Sequence, residues 1–378
     1  MVVRVLFCFL VYPAIAAQFG PGDGYDVIAR NLAAGDGYVV DGVSAAAERL
    51  PLYPLLLAAS FRLFGDVIWP WQLAQCVCGA VTCGLVLRAA GRFAGRRSAL
   101  AAAAFCAVHP TLVLYTARPM TETVYVLLVL LFVCALTASP PGFRAAGILW
   151  GMQWLLKSTA LAQLTAVAAV AVRRGVRAAA ATVVPGICVL VPWMVWNVWT
   201  FGTPHLLSAR GGITLYHGLY ISQHVSWTQP AGDLNQDAEL DLWNALEQRG
   251  VSREADVVIR DSAAGSIARA WIAAHPGAAL RLWGRNLVLT WYLTRSPLSM
   301  LAHGVLHAVL LLAAGVGAVR MWRQQRCTHD LVTIAVVLIG TYTALHAVVQ
   351  PAVRYILPVV PVAALLAAGA LGKIRPEP

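Results

Sequence analysis

The sequence predicts an all-α fold, a polytopic transmembrane helical bundle of about ten spans with outward-facing juxtamembrane helices. Three observations carry that prediction. The 378-residue chain is 59% hydrophobic and only 12% charged. Its apolar runs approach the ~20 residues that cross a bilayer. Its Lys and Arg fall in short clusters between those runs, as topology signals do, and not on a polar face with interleaved aromatics. The net charge of +11 therefore does not imply nucleic acid as a partner.

In chain order the apolar runs lie at 1–18, 67–88, 98–115, 120–138, 144–156, 159–172, 178–199, 299–320, 331–349 and 353–372. The first, with a lone Arg4 and the ending "AIAAQ", is similar to a signal peptide but is read as an uncleaved membrane helix, because further spans follow. With the N-terminus in the cytoplasm, "RAAGRFAGRR", "FR", "RRGVR", "RMWRQQR" and "GKIR" all fall inside. Asp23, Asp26, Asp36, Asp41, Glu48, Asp66, Glu122 and the acids from Asp233 to Asp261 fall outside, leaving only Asp330 and Glu377 inside. Around 139–172, "SPPGF" and Lys157 interrupt the pattern, so two spans or a re-entrant hairpin both fit.

This order divides the chain into an N-terminal transmembrane catalytic module, 1–199, with a first outer loop at 19–66. An outer-face segment, 200–298, and C-terminal transmembrane helices, 299–378, follow. The outer-face segment is too long for a plain connection. "DAELDLWNALEQRG" reads as a helix with Leu240, Trp243 and Leu246 on one face, ending at Gly250. A second helical stretch starts at the cap Ser252, with Asp256 nearby, and breaks at His275-Pro276. Beyond the break Leu280, Trp283, Leu287 and Trp291 share a face, beside Arg281 and Arg285, as in a helix lying in the headgroup layer.

Cys8, Cys76, Cys78, Cys83, Cys106, Cys134 and Cys188 lie in apolar segments, and Cys327 follows a basic cluster. They read as small hydrophobes, with no structural disulfide or zinc site expected. His303 and His307 have metal-ligand spacing but no third ligand, so packing is the better reading. No Walker loop, dinucleotide fingerprint or G-x-S-x-G elbow is present, which leaves a soluble nucleotide-sugar site no visible home.

The candidate chemistry gathers at the outer ends of spans. In "GDGYDVIARNLAAGDGY", a helix over Tyr25 to Ala34 closed by Gly35 puts Asp23 at its start and Asp26 in its first turn. An N-cap role would account for Asp23 without any reaction. Arg49 stands at the entrance of "ERLPLYPLLLAASFRLFGD", where it could meet a lipid phosphate. "HPTLVLYTARPMTETVY" brings Arg118 and Glu122 to a span start, where an ionisable group is costly and points to function, or serves as a cap. Lys157 is one of two lysines in the chain and sits on the outer side, against the positive-inside bias. Arg354, in "QPAVRYILPVVP", is a further outer cation. Lys157 and Arg354, with Arg49 or Arg118, could hold a phosphate.

Taken in order, these stretches, with "PWMVWNVWTFGTPHLLSARGGITLYHGLY" before "RYILPVVP", resemble the GT-C class of integral membrane glycosyltransferases. The resemblance is to the bacterial branch related to protein O-mannosyltransferases and lipid A aminoarabinose transferases. It implies a polyprenyl-phosphate-linked sugar donor, used at the outer face of the cytoplasmic membrane with inversion at the anomeric carbon. Asp23 matches the family's first-loop base or acceptor-orienting acid, with Asp26 the alternative, and Glu122 matches the second acid. Lys157 and Arg354 match its cations. Relatives differ in their use of a divalent metal, so Asp23 and Glu122 are also the candidate metal pair.

Departures from the family pattern narrow the acceptor. Trp196 and Lys157 stand where many relatives have Arg, and no adjacent Asp-Glu pair occurs in the first loop. A lipid or glycan acceptor is favoured over protein. The rival readings are a secondary transporter or lipid flippase, and a catalytically inactive assembly subunit. A transporter would favour charges near the midplane in repeated halves, which this sequence does not show.

Overall fold

The computed structural model describes residues 1–19, 23–40, 48–202, 208–226, 231–253, 255–324 and 329–372, without the side chains of 231–233. Asp41, Arg326, Cys327, Lys373, Arg375, Glu377 and the Asp233 side chain lie outside that set. Among the described residues the chain is all helical, with no strand.

Each apolar run becomes helix. In order these are α1 Val2–Phe19, α2 Tyr25–Ala34, α3 Leu52–Phe64, α4 Trp69–Gly91, α5 Arg96–Val108, α6 Pro110–Ala117, α7 Glu122–Leu136 and α8 Phe143–Trp154. They continue with α9 Leu164–Arg174, α10 Val176–Phe201, α11 Gly211–His224, α12 Ala231–Glu247, α13 Val257–Ala274 and α14 Pro276–Leu289. The last are α15 Pro297–Gln324, α16 His329–Val349 and α17 Val353–Ala368.

Five helices (α1, α4, α10, α15 and α16) are long and apolar enough to cross a membrane, or six if the bent pair α5–α6 is one span. The fold is that of an integral membrane protein. The ten crossings counted in the sequence are not reached by this measure. At 15, 12 and 11 residues, α7, α8 and α9 are shorter than the ~20 needed. The run at 98–115 is broken at His109, because Pro110 supplies no amide hydrogen to the preceding turn, and the two pieces meet at 49°.

The chain forms two compact units. The first comprises Met1–Leu206, Leu310–Ile339 and Leu357–Pro378. In it α7 is buried over most of its surface, from Glu122 to Leu136. Helix α8 lies tightly on α10 through Gly147 and Gly151. A Cβ at Gly147 would stand 2.0 Å from the Thr182 carbonyl oxygen, so only glycine permits that approach. Asp330 binds both Arg173 and Arg174, charges that the topology reading assigns to one side of the membrane.

The second unit comprises Leu207–Val309 and Gly340–Ile356. The Leu240, Trp243 and Leu246 stripe read from the sequence is not the one buried in α12. Leu234, Ala238, Leu242 and Leu246 turn inward and Leu240 is exposed, since two stripes of this sequence satisfy a 3.6-residue period. Asp256, not Ser252, is the N-cap of α13, accepting from the Val258 amide at 2.7 Å. The break at His275-Pro276 is where the sequence puts it. Helix α14 ends before Trp291 and exposes Leu280, Leu287 and Val288 along one face. His303 and His307 bond to the carbonyls of Ser299 and Trp291 as packed histidines.

Candidate active site

The first loop is built on glycine geometry. Gly24, at φ +79°, takes the N-cap position of α2 and puts Asp23 one residue before it; Gly35, at φ +98°, closes the helix with its amide on the Asn31 carbonyl. Asn31 also donates to the Val39 and Val40 carbonyls, which fold "AAGDGY" back toward the bundle. The buried face of α2 rests on α10, where Ile28, Tyr38, Leu50 and Trp193 form a core lined by Trp196 and Leu155. Trp193 and Trp196 stack at 4.6 Å, and the edge of Tyr38 meets both rings. Trp196, at the position where many relatives of the resembled class carry Arg, is here an anchor for the loop that carries Asp23.

Two arginines hold the backbone on either side of residues 20–22. Arg49 donates through Nε to the Asp23 carbonyl at 2.7 Å and lies over the Tyr25 ring. Arg118 is buried, donates through Nη2 to the Phe19 carbonyl at 3.1 Å, and lies against Phe19 and Tyr115. Neither has a carboxylate partner among the described residues.

Arg118 is set in place by two glutamines of α4 that sequence reasoning passed over. A helix leaves its last carbonyls without intrahelical donors. At the end of α6, Gln72 donates to the Ala117 carbonyl at 2.8 Å, and Gln75 to those of Thr116 and Arg118 at 3.2 and 2.8 Å. Tyr53 receives the Trp71 indole N–H and donates to Gln75, and its phenol stands within electrostatic range of Glu122 and Asp26. The available signal was two amides inside an otherwise apolar run.

Glu122 opens α7 with only 2% of its side chain exposed, and Lys157 Nζ meets its Oε1 at 2.8 Å. The Lys157 ammonium also lies over the Tyr125 ring. Lys157 reaches that point because the chain breaks there. The Trp150 indole donates to the Ala160 carbonyl, Gln163 donates to Gln153, and the Leu155 carbonyl accepts from the Leu52 amide. Two helices flank the break, α8 before it and α9 after a short 3-10 turn at Ser158–Gln163.

Not every candidate joins this arrangement. Asp26 is held by Arg30 at 2.8 Å, and Arg30 also binds Asp66, an ion-pair set on the exposed side of α2. Arg354 belongs to the second unit, where it lies over Tyr355, whose hydroxyl donates to Gln350. No three His, Cys, Asp or Glu gather among the described residues, and the Lys157 ammonium engages Oε1 of Glu122.

The comparisons with known proteins fall on this region. Residues 48–199 match the dolichyl-phosphate-mannose-protein mannosyltransferase family. The match covers the segment that holds Arg49, Arg118, Glu122 and Lys157, and Asp23 and Arg354 lie outside it. The chain is also similar to crystal structures of ArnT from Cupriavidus metallidurans. The form bound to undecaprenyl phosphate is 18% identical, with 97% of this chain and 77% of that one covered and a TM-score of 0.39. The apo form is 16% identical over the same shares, again with a TM-score of 0.39. No curated protein sequence matches the chain.

Proposed function

We propose that the protein transfers a sugar from a polyprenyl-phosphate-linked donor to a lipid or glycan acceptor, at the outer face of the cytoplasmic membrane and with inversion. The observation that carries this reading is the buried Glu122–Lys157 pair, in a family-matched segment that also supplies Arg49 and Arg118, which have no carboxylate partner among the described residues. Asp23 is the general base. It takes the proton of the acceptor hydroxyl as that oxygen bonds to the anomeric carbon and the carbon–oxygen bond to the donor phosphate breaks. The electron pair leaves with the polyprenyl phosphate, whose growing charge meets Arg118, Arg49 and the Lys157 ammonium.

Glu122 orients Lys157. It is less suited to taking the proton, because its carboxylate is already engaged. Asp26, held by Arg30, is likewise less suited than Asp23. Inversion follows from direct displacement by the acceptor oxygen. A lipid-borne donor accounts for the missing nucleotide motif, and the exposed apolar face of α14 suits contact with membrane lipid.

Purified protein supplied with radiolabelled polyprenyl-phosphate sugars and a membrane lipid extract tests this. Label is expected to move to a product with release of polyprenyl phosphate. No transfer from any lipid-linked sugar would favour a transporter or an inactive subunit. Labelling of a cysteine placed at position 233 in intact cells tests the side of the membrane, and an unreactive residue would contradict the outer-face assignment.

A further inference from the structure

Arg4 is a charge in an apolar helix, yet it is only 3% exposed. Its guanidinium donates through Nη2 to the Cys106 carbonyl at 2.9 Å and through Nη1 to the Leu112 carbonyl at 2.5 Å. In an unbroken helix the Cys106 carbonyl would accept from the amide of residue 110. That residue is Pro110 and has no N–H, so Arg4 supplies the bond that the bend between α5 and α6 removes.

The way to this carbonyl is cut through α4 at Gly79, where a Cβ would stand 2.7 Å from Arg4 Nε. Arg4, Gly79, Tyr115, Glu122 and Thr123 line one cavity of about 10 Å³, room for a single water. Five helices thus meet around one guanidinium. α1 brings the charge, α4 the gap, α5–α6 the break, and α7 the acid that pairs with Lys157.

We propose that Arg4 is a positioning residue for Glu122. By replacing the missing Pro110 hydrogen bond it docks α1 and fixes the bent α5–α6 pair, and so sets where the Arg118-to-Glu122 turn leaves α6. The role assigned to Glu122 rests on the transferase reading, whereas the docking of α1 does not.

Cys8 and Cys76, on α1 and α4, bring their sulfurs to 3.5 Å and report that docking directly. In membranes, a mild thiol oxidant that accepts two electrons and two protons would join them. The linked peptide pair can be measured by mass spectrometry in a variant whose other cysteines are replaced. Wild type is expected to cross-link readily. Arg4→Met should cross-link at least fivefold less and lose at least tenfold in kcat, with donor binding retained. Adding Pro110→Ala returns an amide to residue 110, so the Arg4→Met/Pro110→Ala double variant should recover to within about twofold of wild type.

Cross-linking and turnover of Arg4→Met equal to wild type would overturn the proposal, as would a double variant no better than the single one. Failure of wild type to cross-link would also overturn it. If Arg4→Met does not accumulate, accumulation of the double variant supports the proposal and its absence overturns it. A wild type that cross-links but transfers no sugar contradicts the transferase reading, while the cross-link still decides what Arg4 does for the break.

Discussion

Replacing Lys157 with Met removes the ammonium from a buried carboxylate. Glu122 is 2% exposed and Lys157 14%, with 2.8 Å between nitrogen and oxygen. An exposed pair of this kind contributes about 0.2–1 kcal/mol, but removing one partner of a buried pair costs about 3–5 kcal/mol, because the other charge is left in a low dielectric. That cost is roughly 150- to 5,000-fold in the folding equilibrium. Removing both charges takes away the penalty, so the Lys157→Met/Glu122→Gln variant should lie within about 1 kcal/mol of wild type while remaining inactive. Denaturant unfolding in detergent micelles, followed by tryptophan fluorescence, measures all three proteins. A single variant within 1 kcal/mol of wild type, or a double variant no more stable than the single one, would refute the buried pair.

Three further outcomes are expected. Gly147→Leu should cost at least about 1–3 kcal/mol in the same unfolding measurement, since its Cβ meets the Thr182 backbone, whereas Gly84→Ala, with open space beside it, should be neutral or slightly stabilising. Arg118→Met should weaken binding of polyprenyl phosphate by about 10- to 100-fold, the loss of one charge-assisted hydrogen bond, and wild-type affinity would remove Arg118 from the phosphate site. Asp256→Ala should cost about 1 kcal/mol and speed amide exchange at Val258, and unchanged exchange would mean that the cap is not formed in solution.

What was legible in the sequence is what local chemistry decides. The helix Tyr25–Ala34 ends where Gly35 can turn left-handed, and Glu122 opens a helix where an acid suits the first turn. Lys157 stood out as a cation between apolar residues. Its bond to Glu122 could not be read, because the two lie 35 residues apart and meet only through the path of α7 and α8. The break in the third apolar run carried its signal in Pro110, but hydropathy averages over one missing amide. Arg4 looked like an ordinary leading charge for the same reason, since its acceptor lies 102 residues away. In α12 and α13 the misreadings were choices between near-equivalents, Leu240 against Leu242 and Ser252 against Asp256. Only tertiary packing, and the geometry of one amide, decide such cases.

The central claim is that Asp23 removes the acceptor proton. Its most direct test is single-turnover transfer from a radiolabelled polyprenyl-phosphate sugar by the Asp23→Asn variant, with donor binding measured in parallel. Asparagine keeps the shape of the side chain and the Arg49 contact to the backbone carbonyl, so the donor should bind as in wild type. The transfer rate should fall by about 10²- to 10⁴-fold, the range general base catalysis supplies. Transfer at the wild-type rate would contradict the assignment.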